Sequence, residues 1–295
     1  MKITEHEKEK ITKAAWIYVN RFDSQNQAAA TLNGVSSATL SQVLNNKWDL
    51  ISTSMWRTLL AALSYNPNEE VIVQTKPFKL LQKLFDDAQQ NQLTVGITGQ
   101  AGTGKTFAIK YFEQTHRNVI WLSCREYWNR KWFLSELLTK MGRPHNGMSI
   151  AEMMMEAVRH LLMRENPIII FDEYDKLPDH VLSFFITMYN ELEDRCGFIV
   201  IATNHLKKRI TRGVELNKKG YNEIYSRLGR RFIELPVISS EDIVQICMAN
   251  EIDDRPTIKK VIEESDSDLR RVKRKIHALK SKKKEADTES EKTGE

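Results

Sequence analysis

Between residues 99 and 106 the chain reads Gly-Gln-Ala-Gly-Thr-Gly-Lys-Thr, a complete G-x-x-x-x-G-K-T phosphate loop. This octet constrains the fold more than any other stretch, because it works only between a strand and a helix. Both flanks agree: Leu93 to Thr98 reads as a buried strand and Lys105 to Gln114 as a helix. The glycines Gly99, Gly102 and Gly104 let backbone N–H groups turn inward around phosphates, with Gln100, Ala101 and Thr103 between them. Lys105 then reaches the β- and γ-phosphates, Thr106 ligates Mg²⁺, and Phe107 continues the helix whose N-terminus faces the anion. The expected ligands are ATP and Mg²⁺.

Downstream, apolar runs alternate with helical patterns. Val119–Ser123, Ile168–Phe171, Phe198–Ala202 and Phe232–Leu235 are the further strand candidates. Such alternation predicts an α/β fold with a mostly parallel sheet flanked by helices. Residues Ser239 to about Lys280 read as purely helical, and 281–295, rich in Lys and Glu without apolar periodicity, as a disordered tail. The organisation expected is an all-α domain over 1–66, a linker over 67–76 punctuated by Pro67 and Pro77, a sheet core over 77–236, helices over 237–280, and the tail.

Two further strand ends carry chemistry. Ile168-Ile-Ile-Phe-Asp-Glu ends in Asp172, placed to hold the Mg²⁺ shell, and Glu173, placed to activate water against the γ-phosphate. Both gain meaning from a phosphate loop expected on a neighbouring strand, since phosphoryl transfer needs positioning and charge neutralisation above all. Phe198-Ile-Val-Ile-Ala-Thr-Asn204 ends in an amide able to bond the γ-phosphate or the attacking water. Before the last strand stand Arg227, Arg230 and Arg231. The phosphate loop supplies no arginine to the transition state, so Arg227 is the candidate to be given in trans, with Arg230 and Arg231 as alternatives.

In this order and spacing, the four pieces resemble the AAA+ ATPases over roughly residues 77–280: Walker A, Walker B, sensor 1 and the arginine-finger box. The resemblance implies a C-terminal helical lid in which Ser267-Asp-Leu-Arg270 corresponds to sensor 2, with Ser267 replacing the usual Gly and Arg270 contacting nucleotide. The whole-chain plan further resembles the target-DNA-binding helper ATPases of transposition, of the phage Mu type. That implies ATP-dependent assembly on DNA, target capture and stimulation of a transposase partner.

The N-terminal region supports such a plan. Ile11, Ala15, Tyr18 and Phe22 recur at helical spacing, then two short helices flank Gly34, and a third helix carries Met55, Trp56, Leu59 and Leu63. With Ala29, Leu32, Val35, Leu40 and Val43 inward, Ser36, Ser37, Thr39, Gln42, Asn45 and Asn46 stay outside, the layout of a DNA-binding helix-turn-helix. An ordinary three-helix bundle with a polar face reads the same way. The proposed recognition helix lacks Arg, which favours weak or nonspecific contact.

Three basic stretches extend the nucleic-acid reading. Arg125, Arg130 and Lys131 interleave with Tyr127, Trp128 and Trp132, rings that read equally as core anchors. Lys207, Lys208 and Arg209 open a second stretch, and Arg270 to Lys275 with Lys280 to Lys284 form the densest. Met153 to Met155 read as core filler after a Ser149-x-x-Glu152 capping box.

Net charge is +5 with 28% charged and 41% hydrophobic residues, enough apolar content for a sizeable core. Cys124, Cys196 and Cys247 are far apart, which fits reduced thiols and no zinc or disulfide framework. Without a long apolar run, the chain is expected to be cytoplasmic. The expected activity is ATP hydrolysis by a head-to-tail ring or filament on double-stranded DNA. A helicase-loader-type ATPase and a nucleotide-gated transcription regulator are the alternatives.

Overall fold

The computed structural model describes residues 3–22, 24–63 and 71–293, with side chains described to residue 282. Helices α1 (Glu5–Val19), α2 (Gln25–Thr31), α3 (Ser37–Leu44) and α4 (Thr53–Ala62) form the N-terminal bundle. Each starts on a hydroxyl cap, Thr4, Ser24, Ser36 and Ser52 accepting a backbone N–H three residues on. Gly34, at φ +77°, turns the chain between α2 and α3. Ile11, Ala15, Ala28, Leu40, Val43, Trp56 and Leu59 close the core. Residues 67–70 of the expected linker lie outside the described residues; its last residue, Lys76, already opens the next helix on a Thr75 cap.

The chain then runs α5 (Lys76–Gln90), β1 (Thr94–Thr98), α6 (Lys105–Thr115), β2 (Val119–Ser123), α7 (Arg130–Lys140), α8 (Ile150–Leu162), β3 (Ile168–Asp172), α9 (Asp179–Leu182), α10 (Phe184–Leu192), β4 (Gly197–Ala202), α11 (Asn204–Glu215), α12 (Tyr221–Arg227) and β5 (Ile233–Glu234). The five strands are parallel, in the order β2-β3-β4-β1-β5. β4 therefore sits between β1 and β3, so the phosphate-loop and Asp-Glu strands are not hydrogen-bonded neighbours, as the sequence reading has them. Alternation assigns each strand's two faces. Ile168, Ile170, Ile199 and Ile201 meet α5 and α6 through Phe85, Ile109 and Phe112. Ile169, Phe171, Phe198 and Val200 meet the other helices through Phe133, Leu137, Phe185 and Leu206. A sheet covered on both faces explains why β3 and β4 read as unbroken apolar runs.

Helices α13 (Ser240–Ala249), α14 (Arg255–Ser265) and α15 (Leu269–Thr293) follow, packed through Ile238, Ile243, Val261 and Val272. The α15 backbone continues to Thr293, across the segment expected to be disordered. That segment holds Ala, Lys and Glu, which favour helix even where no apolar face directs packing. Two joints tie the outer regions to the core. At one, Arg21 pairs with Glu113 at 2.8 Å, both side chains largely buried, and Arg117 Nε donates to Asn20 O at 3.1 Å. At the other, Asp242 Oδ1 accepts from Lys76 N at 2.9 Å. Among the described residues no helix is long and apolar enough to cross a membrane.

Candidate nucleotide site

Parallel strands deliver their C-terminal ends to one edge, where open α/β sheets bind ligands. Gly99 to Thr106 leaves β1 there, with Gly102 at φ +81° and Gly104 at φ +86°, conformations natural only to glycine. Gly104 caps α6 without a side-chain hydrogen bond, so the helix N-terminus faces the loop. The Lys105 ammonium donates to Gly99 O at 2.8 Å and Gln100 O at 2.6 Å. Burial pulls the Lys105 pKa below its ordinary value, with Asp172 and Asp175 opposing the shift.

Although β4 intervenes, Asp172 reaches the phosphate loop. Thr106 Oγ1 donates to Asp172 Oδ2 at 2.8 Å, and Asp172 is 2% exposed. Burial lifts the Asp172 carboxyl above the usual range, and the Thr106 hydrogen bond opposes that rise. A hydroxyl and a buried carboxylate, both oxygen donors, fit Mg²⁺. Glu173 follows in the left-handed region at φ 55°, which turns the chain off the strand. Its Oε2 accepts from Lys176 Nζ at 2.7 Å. Asn204 opens α11 at the end of β4. Its Nδ2 donates to Glu234 Oε1 at 3.4 Å, whereas its buried Oδ1 has no partner among the described residues. An orphaned buried acceptor beside the loop is what a water or ligand donor would satisfy.

The C-terminal helices close over this edge. Leu269 N donates to Gly102 O at 3.0 Å. A Cβ on Gly102 would lie 2.3 Å from Asp268 Oδ1. Arg270 stands near enough for its charge to disfavour the Lys105 ammonium. The structure thus gathers Lys105, Thr106, Asp172, Glu173, Asn204 and Arg270 around one edge. Asp268 and Lys176, which the sequence reading did not single out, join them.

Other candidates fall elsewhere. Arg227, the last residue of α12, packs against α10 of the same chain, 5.1 Å over the Tyr189 ring with Nη2 donating to Asn190 Oδ1 at 3.1 Å. Arg230 and Arg231 are exposed. In the bundle, Ser36 and Asn45 cap α3, Ser37 bonds Asn26, and Thr39 and Gln42 are partly exposed. Lys207 and Lys208 are exposed on α11, but Arg209 is not presented to solvent as a DNA contact would require. Its guanidinium turns inward to Asp175 O, Leu177 O, Asp179 and Tyr221. Spacing could have shown it, because Leu206, Arg209, Ile210 and Gly213 share one helical face.

Arg125 and Lys131 are exposed, while Arg130 bonds His180 O and lies over Phe184. Of the interleaved rings, Trp128 is a core anchor at 6% exposure, whereas Tyr127 and Trp132 face outward. Trp128 precedes the Asn129 cap of α7 and packs on Phe133 one turn in, a hydrophobic staple. Met153 is buried as core filler should be, but Met155 is exposed.

Residues 88–210 match the family model of the AAA domain, which supports placing the chain among the AAA+ ATPases. The matched segment holds the phosphate loop, Asp172, Glu173 and Asn204 and stops short of Arg227 and Arg270. No curated protein sequence matches the chain.

Proposed function

We propose that this chain is a Mg²⁺-dependent ATPase that assembles head-to-tail on double-stranded DNA and serves a transposase by capturing target DNA. The observation that carries the ATPase reading is the 2.8 Å contact between Thr106 and Asp172, with Glu173 next in the chain. It joins the two halves of a phosphoryl-transfer site across an intervening strand. When bound, Mg²⁺ neutralises charge on the β- and γ-phosphate oxygens. Lys105, held by backbone carbonyls, exchanges Gly99 O and Gln100 O for phosphate oxygens. Glu173 leaves Lys176 to orient water and take its proton. Asn204 Oδ1, lacking a partner, accepts from that water.

An arginine completes charge neutralisation. Arg227 is engaged with Tyr189 and Asn190 rather than with Lys105, Asp172 or Asn204, which favours delivery to the next subunit. Such an interface is head-to-tail and propagates into a ring or a helix.

The DNA reading rests on a four-helix bundle whose α3 presents polar side chains, and on Arg125, Lys131, Lys207 and Lys208 at the core surface. Backbone neutralisation without base-reading arginines suits a protein that coats DNA. The transposition role rests on the resemblance of the whole-chain plan to transposition protein B of phage Mu.

Negative-stain electron microscopy with linear duplex DNA tests the reading. Filaments or stacked rings on DNA only with ATP are expected. Isolated particles at fixed sites, indifferent to ATP, would replace it with a regulator. ATP-dependent rings that ignore duplex DNA would replace it with a helicase-loader-type ATPase.

A further inference from the structure

Arg209 occupies a position the ATPase reading does not use. From α11 its Nη1 donates to Asp175 O at 3.1 Å and Leu177 O at 2.8 Å, the turn that begins at Glu173. Its Nη2 pairs with Asp179, and its Nε donates to Tyr221 Oη at 3.2 Å. The Tyr221 hydroxyl donates to Asp179 Oδ1 at 2.7 Å, which closes a triangle of three side chains. Asp175 also accepts from Thr203 Oγ1 at 2.6 Å, so the end of β4 is tied to the same turn. The Arg209 hydrogen bond holds the Asp179 carboxyl below the usual carboxylate range.

Tyr221 is the first residue of α12 and Arg227 the last. Helical rise puts their Cα atoms only about 9 Å apart. Tyr221 is 5% exposed, and its ring lies so close to α11 that a Cβ on Gly213 would stand 2.2 Å from Tyr221 Cδ1. Helix α12 is therefore a short rod. One end is fastened to the Glu173 turn through Arg209, and the other carries Arg227 against Asn190.

We infer that Arg209, with Asp179 and Tyr221, positions Arg227, and so links a subunit's own nucleotide turn to the arginine it lends its neighbour. A shift of the Glu173 turn on nucleotide binding moves two of Arg209's acceptors. It thereby moves the anchor of α12. A guanidinium with planar, fixed donors transmits such a shift better than a flexible ammonium. The inference rests on the trans-arginine reading, and its test separates the two.

Three variants are mixed pairwise, with ATP hydrolysis and sedimentation measured for each mixture. Lys105→Ala lacks a working site but lends an intact arginine. Arg227→Ala keeps its site and lends none. Their mixture recovering activity establishes the trans arginine; no recovery at any ratio removes that reading and this inference with it. Arg209→Ala is then mixed with each. Its own site, completed by the arginine of Lys105→Ala, is expected to hydrolyse ATP. The mixture with Arg227→Ala is expected to stay lower by about tenfold to a hundredfold, the scale for a misplaced catalytic group.

A merely structural role would not produce this asymmetry. Tyr221→Phe deletes one hydroxyl from a packed ring and decides the matter if Arg209→Ala does not fold. It is expected to show the same asymmetry, smaller, at roughly threefold to tenfold, about 1 kcal/mol for one hydrogen bond. Arg209→Lys should not restore the Arg209→Ala defect. Equal recovery in both mixtures, or equal loss in both for Tyr221→Phe, overturns the inference.

Discussion

The phosphate loop and the α11–α12 hairpin start from the C-terminal ends of two paired strands, β1 and β4, yet they hold their functional groups in opposite ways. At the phosphate loop the chemistry lies in the backbone. Gly102 and Gly104 adopt positive φ, α6 begins without a side-chain cap, and Lys105 rests on two carbonyls. In the hairpin it lies in long side chains, and three adjacent cations part company. Lys207 and Lys208 face solvent, while Arg209 turns inward to the turn after Glu173. A backbone site is fixed by contiguous residues and tolerates little change. A side-chain site is fixed by whichever helical face the residue occupies, so neighbours in sequence need not share a role.

The sharpest break would come from the phosphate-loop edge. Glu173→Gln keeps the shape of the side chain and removes the base. Phosphate release is expected to fall by about a hundredfold to ten-thousandfold, with nucleotide binding retained. Lys105→Ala is expected to lose both, because the phosphates lose their only lysine from the loop. Near-normal turnover in Glu173→Gln would take Glu173 out of the mechanism and leave the 2.8 Å contact of Thr106 with Asp172 without a catalytic partner.

This contrast also governs how much the sequence disclosed. The phosphate loop was legible from its own glycine and Lys-Thr spacing, and Asp172, Glu173 and Asn204 because they stand at the ends of β3 and β4, strands buried on both faces that stand out as unbroken apolar runs. Strand order was not legible, since nothing in β3 or β4 states which of them lies against β1. That Asp172 reaches Thr106 across β4 is a fact of sheet geometry. The contact of Asp268 with Gly102 was hidden for a similar reason, as it joins residues far apart in sequence. Arg209 and Trp128 were hidden by composition. Basic and aromatic residues near one another suggest a nucleic-acid surface until helical phase and the Asn129 cap are taken into account.

Glycine replacements measure the two kinds of construction against each other, by chemical denaturation with hydrolysis as a second readout. Gly102→Ala meets both a positive φ and Asp268 Oδ1 at 2.3 Å. A loss of roughly 1–3 kcal/mol is expected, and Asp268→Ala should relieve only the steric part. Gly213→Ala has no positive φ, and Ala favours helix by up to about 1 kcal/mol. Its Cβ, however, would stand 2.2–2.7 Å from three Tyr221 ring atoms. Overpacking of that sort costs about 1–3 kcal/mol, so a small net loss is expected, with α12 displaced. A stabilised Gly213→Ala protein would mean that the hairpin accommodates an added methyl, and that α12 is not held as firmly as the Tyr221 contacts imply.

The smallest effects fall on the three cations of α11, and there the two roles separate most cleanly. Lys207→Ala and Lys208→Ala remove exposed charge outside the Arg209–Asp179–Tyr221 cluster, so stability should stay within about 0.5 kcal/mol of the parent. If those lysines meet phosphates, each replacement weakens DNA binding a few-fold and lowers the slope of log affinity against log salt by about one. Arg209→Ala should behave in reverse. Its loss strands Asp175 O and Leu177 O, which lowers stability by roughly 1–3 kcal/mol, while the salt slope holds. The half-exposed ion pair with Asp179 adds little, because water screens it. Affinity titrations of a duplex across several salt concentrations, paired with denaturation curves, read both quantities. A slope change in Arg209→Ala equal to that of the lysines would return Arg209 to the DNA surface and erase the division within α11. Unchanged slopes for both lysines would place the DNA contacts elsewhere and leave Arg209's inward bonds as the helix's principal use of charge.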